Sequence, residues 1–397
     1  MAPAKSPPKM LTLVLLTSLS VLSLNMFLPS LKQIAAEYGV EYGVVSLALG
    51  GYLAMSALLQ MILGPLSDMI GRRPVMLAGI GVFAIASVGC ALAENVWVFL
   101  GFRMVQCLVG VGMVLSRAVV RDIAPKEEAA RLLGIMGTAM ALAPLLGPVF
   151  GGYLDEWLGW RSTFWFFAVG GVALLVLTWV DMGETNQNPS DSFGAQFRSY
   201  PELFRERLFW AYCVLLVFSV GGFYVFLGGA PQVGEEAYGL TPGLLGLGMG
   251  SISGGFMLGN IISTRMTRSW GIVKLMTLGR IVGTVGPLVA LLLTLAGLSH
   301  PFVMFGGAIF IGFGNGLTLP GANAGVMSVA PHLAGSASGL SGALTLAGGA
   351  AISTLVGALV AGSFGVYVLL TAMVITSAIG LAAAIYVGRL EAQRPEL

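Results

Sequence analysis

Twelve stretches of about 20 predominantly apolar residues follow one another along this chain, each long enough for an α-helix to cross the hydrocarbon core of a bilayer. They run over approximately 11–31, 44–66, 75–94, 97–119, 132–154, 160–181, 208–231, 243–264, 273–297, 301–324, 335–361 and 365–388. In lipid every backbone N–H and C=O must find a partner inside its own segment, and helices of this length provide one. The chain therefore reads as an all-α integral membrane protein. Charged residues are 10% of the whole, against roughly 25% in soluble domains, which supports the same class. Lys5 and Lys9 precede the first stretch as they would in a signal peptide. That stretch runs on through Asn25–Pro29 without a clear small-residue cleavage site, so it reads as a retained first helix.

The breaks between stretches carry turn chemistry, as at Gly71-Arg72-Arg73-Pro74, Ala124-Pro125, Thr241-Pro242-Gly243, Ser299-His300-Pro301, Ala330-Pro331 and Ser363-Phe364-Gly365. The longest break, Gly183 to Arg207, divides the stretches six and six. It opens on E-T-N-Q-N-P-S-D-S and closes on R-S-Y-P-E-L-F-R-E-R, the composition of a flexible linker ending in a surface helix. Three parts follow: a six-helix bundle over 1–182, a linker over 183–207 and a second six-helix bundle over 208–397. With the N-terminus placed inside the cell, all of the 20 basic residues except Lys32, Arg103, Arg161 and Arg280 fall at cytoplasmic ends. The positive-inside rule then puts both termini in the cytoplasm.

Several functions are set aside by what the sequence lacks. A net charge of +2 with no basic patch excludes a nucleic-acid partner. Cys90, Cys107 and Cys213 stand alone in apolar runs as small buried hydrophobes, and His300 and His332 fall in short polar breaks, so no metal site and no cofactor is expected. No G-x-x-x-x-G-K-[ST] string exists to hold ATP phosphates. An intramembrane enzyme would need a base at mid-span, where none of the 18 acids falls; Asp68 and Asp122 come closest, at helix ends.

Between the second and third stretches lies G-P-L-S-D-M-I-G-R-R-P, from Gly64 to Pro74. This dense charged turn resembles the signature loop of the major facilitator superfamily, with Gly64, Asp68, Gly71, Arg72 and Arg73 at that family's spacing. Other strings narrow the resemblance to the bicyclomycin and chloramphenicol resistance group of proton-coupled drug exporters: L-N-M-F-L-P (Leu24–Pro29), S-R-A-V-V-R-D (Ser116–Asp122) with I-A-P-K-E-E after it, A-P-L-L-G-P-V-F-G-G (Ala143–Gly152), and A-P-H-L-A-G-S-A-S-G (Ala330–Gly339). The resemblance implies two pseudo-symmetric six-helix bundles around a central cavity, a small-molecule substrate and protons as coupling ion. Gly259–Gly271, G-N-I-I-S-T-R-M-T-R-S-W-G, weakly echoes the signature loop at the matching place of the second half.

Candidate gating residues are those of the signature loop together with Arg121 and Asp122, which end the fourth stretch on the same membrane face; Arg72 is placed to pair with Asp122. The bland alternative is that Arg72 and Arg73 anchor topology and Asp68 caps the following turn. In the fifth stretch, Gly147 and Gly151 form a GxxxG spacing for close helix approach, while Pro144 and Pro148 bend the helix. With Gly152 this resembles the kinked antiporter motif of exporters.

Arg103 lies about seven residues, or roughly 10 Å, into the fourth stretch, where a charge costs at least ~2.5 to 3.5 kcal/mol. Gln106 and Gly110 share its face, a polar stripe expected to face the cavity, unless the arginine snorkels outward. Asn25 sits at a similar depth in the first stretch. Exporters of the resembled group read D-x-Y-L-P there; this chain reads N-M-F-L-P, and an amide does not titrate. With no carboxylate at mid-span, a cation would rely on aromatic faces such as Phe27, Tyr52, Phe223, Tyr224 and Phe226, so neutral or anionic amphiphiles are the expected substrates. The expected function is alternating-access export by a monomer in the bacterial inner membrane. A facilitative or potential-driven carrier is the nearest alternative, and a non-transporting membrane sensor the one of another class.

Overall fold

The computed structural model describes residues 7–186, 200–330, 333–362 and 364–393. Linker residues 187–199, together with Lys5, Pro331, His332 and Ser363, lie outside these ranges. Twelve helices are long and apolar enough to span a membrane: α1 (Met10–Tyr38), α2 (Tyr42–Ile70), α3 (Arg72–Leu92), α4 (Val96–Ile123), α5 (Lys126–Leu158), α6 (Arg161–Asp181), α7 (Arg207–Tyr238), α8 (Pro242–Trp270), α9 (Ile272–Leu295), α10 (Pro301–Val329), α11 (Ala334–Leu359) and α12 (Gly365–Ala392). A short helix, Tyr200–Arg205, precedes α7. Large apolar side chains crowd the outer surface, among them Val169 at 69% and Phe302 at 82% exposure. A water-facing surface would not carry them, and a lipid-facing one does.

Most helices overrun the apolar stretches by several residues because polar end residues continue the hydrogen-bond ladder past the hydrocarbon. α5 is the extreme case: it starts at Lys126 and ends at Leu158, so Asp155 and Glu156 belong to the helix. Two spans are broken. In α1 the α-helix stops at Asn25 and gives way to a 3-10 turn over Leu28–Ser30, as Pro29, lacking an N–H, requires. In α4 a 3-10 turn occupies Cys107–Val109, and Ser20 Oγ from α1 donates to Val109 O at 2.6 Å, tying the two breaks together.

The turns reveal a repeat. Gly39, Gly71 and Gly159 have φ of 64°, 103° and 78°, and Gly239, Gly271 and Gly362 have 62°, 76° and 96°. These left-handed positions fall at the α1–α2, α2–α3 and α5–α6 turns and at their counterparts α7–α8, α8–α9 and α11–α12. Gly39 and Gly239 both end their helices in the left-handed conformation, with the next residue's N–H turned back onto the last turn, Val40 N donating to Ala35 O and Leu240 N to Gly234 O, both at 3.1 Å. The two six-helix bundles are thus built on one plan.

The bundles meet along two seams. α2 packs along α11, from Tyr42, whose hydroxyl donates to Gly228 O of α7 at 2.7 Å, to Gln60 beside Gly342. α5 packs on α8 from Gly152 and Pro242 down to Leu145 and Gly250, after which they part. Closure is therefore tightest at the end bearing the α1–α2 and α7–α8 turns, the far end. The near end, where α1 begins and α12 finishes, is the open side of the α5–α8 seam.

Candidate functional site: a central cavity and its arginines

Below the α5–α8 seam lies a cavity of about 510 Å³. α1 contributes Val21, Leu24 and Asn25, α5 contributes Met140 and Pro144, and α7 contributes Phe223 and Tyr224. Its polar lining comes from Asn25, Ser253, Asn260, Asn315 and Arg117, with no carboxylate among the described residues. A second cavity of about 180 Å³ adjoins it through Val21, Leu24 and Tyr224 and is lined also by Tyr52, Gln60 and Gly110. Asn25 Nδ2 donates to Val21 O at 2.9 Å, in its own helix, while Oδ1 is buried with no hydrogen-bond partner. Asn25, Tyr52, Phe223 and Tyr224 line these cavities.

Arg103 does not. Its guanidinium is wholly buried, stacked between the Phe27 ring at 4.1 Å and the Tyr52 ring at 4.3 Å. It donates to Ser23 O at 2.6 Å, Ser23 Oγ at 3.3 Å and Gln106 Oε1 at 2.7 Å, and Gln106 Nε2 passes the chain on to Ser87 Oγ at 2.7 Å. The expectation that Arg103 and Gln106 face the cavity is corrected: they stand one side chain behind its wall, with Tyr52 between. The physical reason is acceptor supply, since without a carboxylate a guanidinium needs carbonyls, amides and aromatic faces, and these lie inside the first bundle. Outward snorkelling is excluded by the same burial. Phe27 and Phe226 are likewise buried packing residues, Phe226 edge-on to Phe305 at 6.0 Å between ring centres. In the other bundle Arg280 is equally buried, donating from Nε to Thr318 Oγ1 at 3.0 Å and from its fork to Asn315 Oδ1 at 2.6 Å.

At the near end, Arg72 meets Asp68 at 2.5 Å and Asp122 at 3.2 Å and donates to Ser67 Oγ at 2.6 Å. Arg121 takes no part in this cluster. Each such pair contributes ~0 to 1 kcal/mol because it is partly solvated; the network's value lies in fixing helix ends. Glu184, beyond α6, reaches under the loop: it accepts from the backbone N–H groups of Arg72 at 2.9 Å and Arg73 at 3.1 Å, and from Thr185 and Asn186 at 3.0 and 2.9 Å. A carboxylate on the first N–H groups of α3 complements the helix dipole. Glu184→Ala should lower stability by ~0.5 to 2 kcal/mol, read as a lower melting temperature in detergent that Glu184→Gln restores in part.

The kink motif splits its glycines between two partners. A Cβ at Gly147 would meet Leu22 Cδ2 at 2.9 Å and one at Gly151 would run into Met26 O, so the GxxxG pair admits α1; at Gly152 the contact is with Pro242 O of α8. A third helix-end acid, Asp155, lies at the far end of α5. It is 4% exposed, and Gln33 of α1, with its amide nitrogen turned toward the acid, donates to both carboxylate oxygens at 2.9 Å. Beside it Glu156 Oε1 accepts from Gly243 N of α8 at 2.9 Å, and Lys32 faces Glu235 of α7 at 3.6 Å. Carboxylates therefore brace the far-end closure.

Two six-helix bundles of one plan enclose a cavity and are joined at one end, and residues 13–354 match the sequence profile of the Major Facilitator Superfamily. The chain belongs to the major facilitator superfamily. This member is 32% identical over 356 residues to an uncharacterized MFS-type transporter of Bacillus subtilis, covering 86% of this chain and 87% of that one. It is 36% identical over 215 residues to a chloramphenicol resistance protein of Pseudomonas aeruginosa, 54% of this chain and 51% of that one. It is 28% identical over 358 residues to multidrug resistance protein D of Escherichia coli, 87% of each. Within the superfamily the chain groups with the bicyclomycin and chloramphenicol resistance proteins. Its fold is shared with a bacterial homologue of the human lysosomal transporter Spinster (TM-score 0.76, 16% identity, 99% of this chain and 100% of that one) and with a D-xylose–proton symporter (TM-score 0.71, 16% identity, 95% and 96%).

Arg117, Asn260, Asn315, Asp155 and Glu184 were not legible as site residues. Arg117 reads in sequence as one more basic residue near a helix end. Its spacing of four from Arg121, placing both on one face of α4, was the available signal.

Proposed function

We propose that this facilitator exports small amphiphilic compounds, neutral or anionic, by alternating access across the bacterial inner membrane, with both termini in the cytoplasm. The bundles 1–182 and 208–397 are the moving bodies, joined by the linker 183–207; with the termini inside, the open near end corresponds to an inward-facing state. The observation that carries this reading is the 510 Å³ cavity between the bundles, apolar with scattered amides and without a carboxylate among the described residues. Such a lining suits an apolar body with a neutral or negative head and disfavours a cation. The Arg72–Asp68–Asp122 cluster, formed while the near end is open, would hold the near ends of α2, α3 and α4 together as the first bundle moves.

A potential-driven or facilitative mechanism is favoured over family-type proton antiport by one residue: Asn25, where the resembled exporters carry an acid, cannot exchange a proton. In proteoliposomes, uptake of labelled chloramphenicol should follow its own gradient and show no response to an imposed pH gradient. Asn25→Asp should introduce such a response. A pH-gradient response in the wild type overturns the coupling assignment, and absence of any protein-dependent flux overturns the transport assignment for this compound class.

A further inference from the structure

The central cavity contains a cation that none of the structural roles described so far uses. Arg117 is on α4, six residues before its end at Ile123, and its exposed side chain faces the same cavity as Asn25, Asn260 and Asn315. Its recorded hydrogen bond goes to the Met140 thioether at 3.5 Å, a weak acceptor. No carboxylate lies within 4 Å of it among the described residues, in contrast to Arg72, Arg131 and Arg161, which are all paired. Arg103 and Arg280 direct their hydrogen bonds to oxygen acceptors inside the bundles, although Arg103 Nε and Arg280 Nη1 find none; Arg117 lines the cavity with the thioether as its acceptor. Arg121 stands one turn nearer the open end on the same face, also without a carboxylate within 4 Å among the described residues. Two guanidinium groups thus lead from the open end into an apolar chamber.

We propose that Arg117 is the charge-selecting residue of the cavity, and that the substrates of this transporter carry an anionic head, sulfonate-like or carboxylate-like, on an apolar body. The head would take the Arg117 fork, the bidentate partner for which a guanidinium is shaped. The body would lie against Leu24, Val220, Phe223 and Phe256, which line the remainder of the chamber. Arg121 would raise the local concentration of anions at the entrance. The inference rests on the reading of this cavity as the substrate site and adds to it the sign of the substrate's charge and the residue that reads it.

The test uses a matched pair of probes, naphthalene-2-sulfonate and naphthalene-2-sulfonamide, of nearly equal size but charged and neutral at pH 7. Binding to the full-length protein in detergent is measured by titration calorimetry at low and high salt. Wild type should bind the sulfonate at least about tenfold tighter than the sulfonamide, the worth of one charge-assisted contact at a hydrated site. Added salt should weaken the sulfonate alone. Arg117→Gln should abolish the preference while leaving sulfonamide affinity within about twofold of wild type, and Arg117→Lys should restore part of it. Equal binding of the two probes by wild type overturns the proposal, as does a preference that survives in Arg117→Gln, or loss of both probes together in that variant. If wild type binds neither probe, the reading of the cavity as an amphiphile site fails and the charge assignment falls with it.

Discussion

Gly246→Leu should eliminate transport and leave the far end unable to close. Gly246 lies where α8 crosses α5, and a Cβ built on it meets the backbone of Pro148, at its O and C atoms; the neighbouring contacts at Gly152 and Gly250 are also with backbone, of Pro242 and Leu145. Backbone cannot swing aside as a flexible side chain does, so even one added carbon must push the helices apart, and a leucine adds four. Overpacking of this kind costs about 1 to 3 kcal/mol, occasionally more. Here the strain is relieved by parting the bundles rather than by unfolding either of them, and the conformational equilibrium should shift toward the far-end-open state. Ser46→Cys reports the shift: Ser46 is fully buried, against Gly357 on the α2–α11 seam, while the native cysteines are themselves buried. In Ser46→Cys alone, maleimide labelling in detergent should be slow, and with Gly246→Leu it should become fast. Wild-type transport in Gly246→Leu, or a cysteine at position 46 that stays unreactive, would show that the seam accommodates the leucine without parting.

The second large effect is expected from Arg103→Lys. Both side chains carry one positive charge, so a role in setting the potential of the cavity alone would survive the change. The observed geometry would not. The guanidinium reaches Ser23 and Gln106 at once while stacked flat between Phe27 and Tyr52, and a compact, strongly hydrated ammonium has neither the fork nor the plane. Losing one charge-assisted hydrogen bond of ~1.5 to 3 kcal/mol and part of two ring contacts of about 0.5 to 2 kcal/mol each destabilises the junction of α1, α2 and α4 by ~2 to 5 kcal/mol. Transport should fall at least about tenfold and the melting temperature by several degrees. A lysine variant with wild-type melting and flux would show that charge alone matters at this position.

Helix number, the order of the spans and the family came readily from the sequence because each rests on a local signal: length of apolar run, turn residues, or the spacing of Gly64, Asp68, Gly71, Arg72 and Arg73. The Arg72–Asp122 contact was also within reach, since both residues fall at helix ends on one membrane face. What a helix faces was harder to read. Arg103 and Arg117 lie on the same span, and depth alone makes Arg103 the functional candidate and Arg117 one more basic residue near a helix end; the packing reverses their relation to the cavity. The direction of a side chain on a buried helix depends on which neighbours offer acceptors, and Ser23 and Phe27 lie about 80 residues away along the chain. Asp155 was missed for another reason. The apolar stretch ends at 154, so the acid reads as solvated, yet α5 continues through it and α1 covers it.

The two seams also bear on how fast such a carrier can turn over. Where α5 meets α8, and where Gly357 meets Ser46, the surfaces that touch are bare glycine Cα atoms against carbonyls or small side chains. Parting them releases few side chains whose rotamers would have to be frozen again on return, a term of up to ~1.5 to 2 kcal/mol for each long flexible side chain. The glycine contacts given up are of the weak Cα–H···O kind, about 0.5 to 1 kcal/mol each, beside the few polar links of Tyr42, Glu156 and the Lys32–Glu235 pair. Little rotamer entropy is therefore lost each time the seams close, which favours rapid exchange between parted and closed seams.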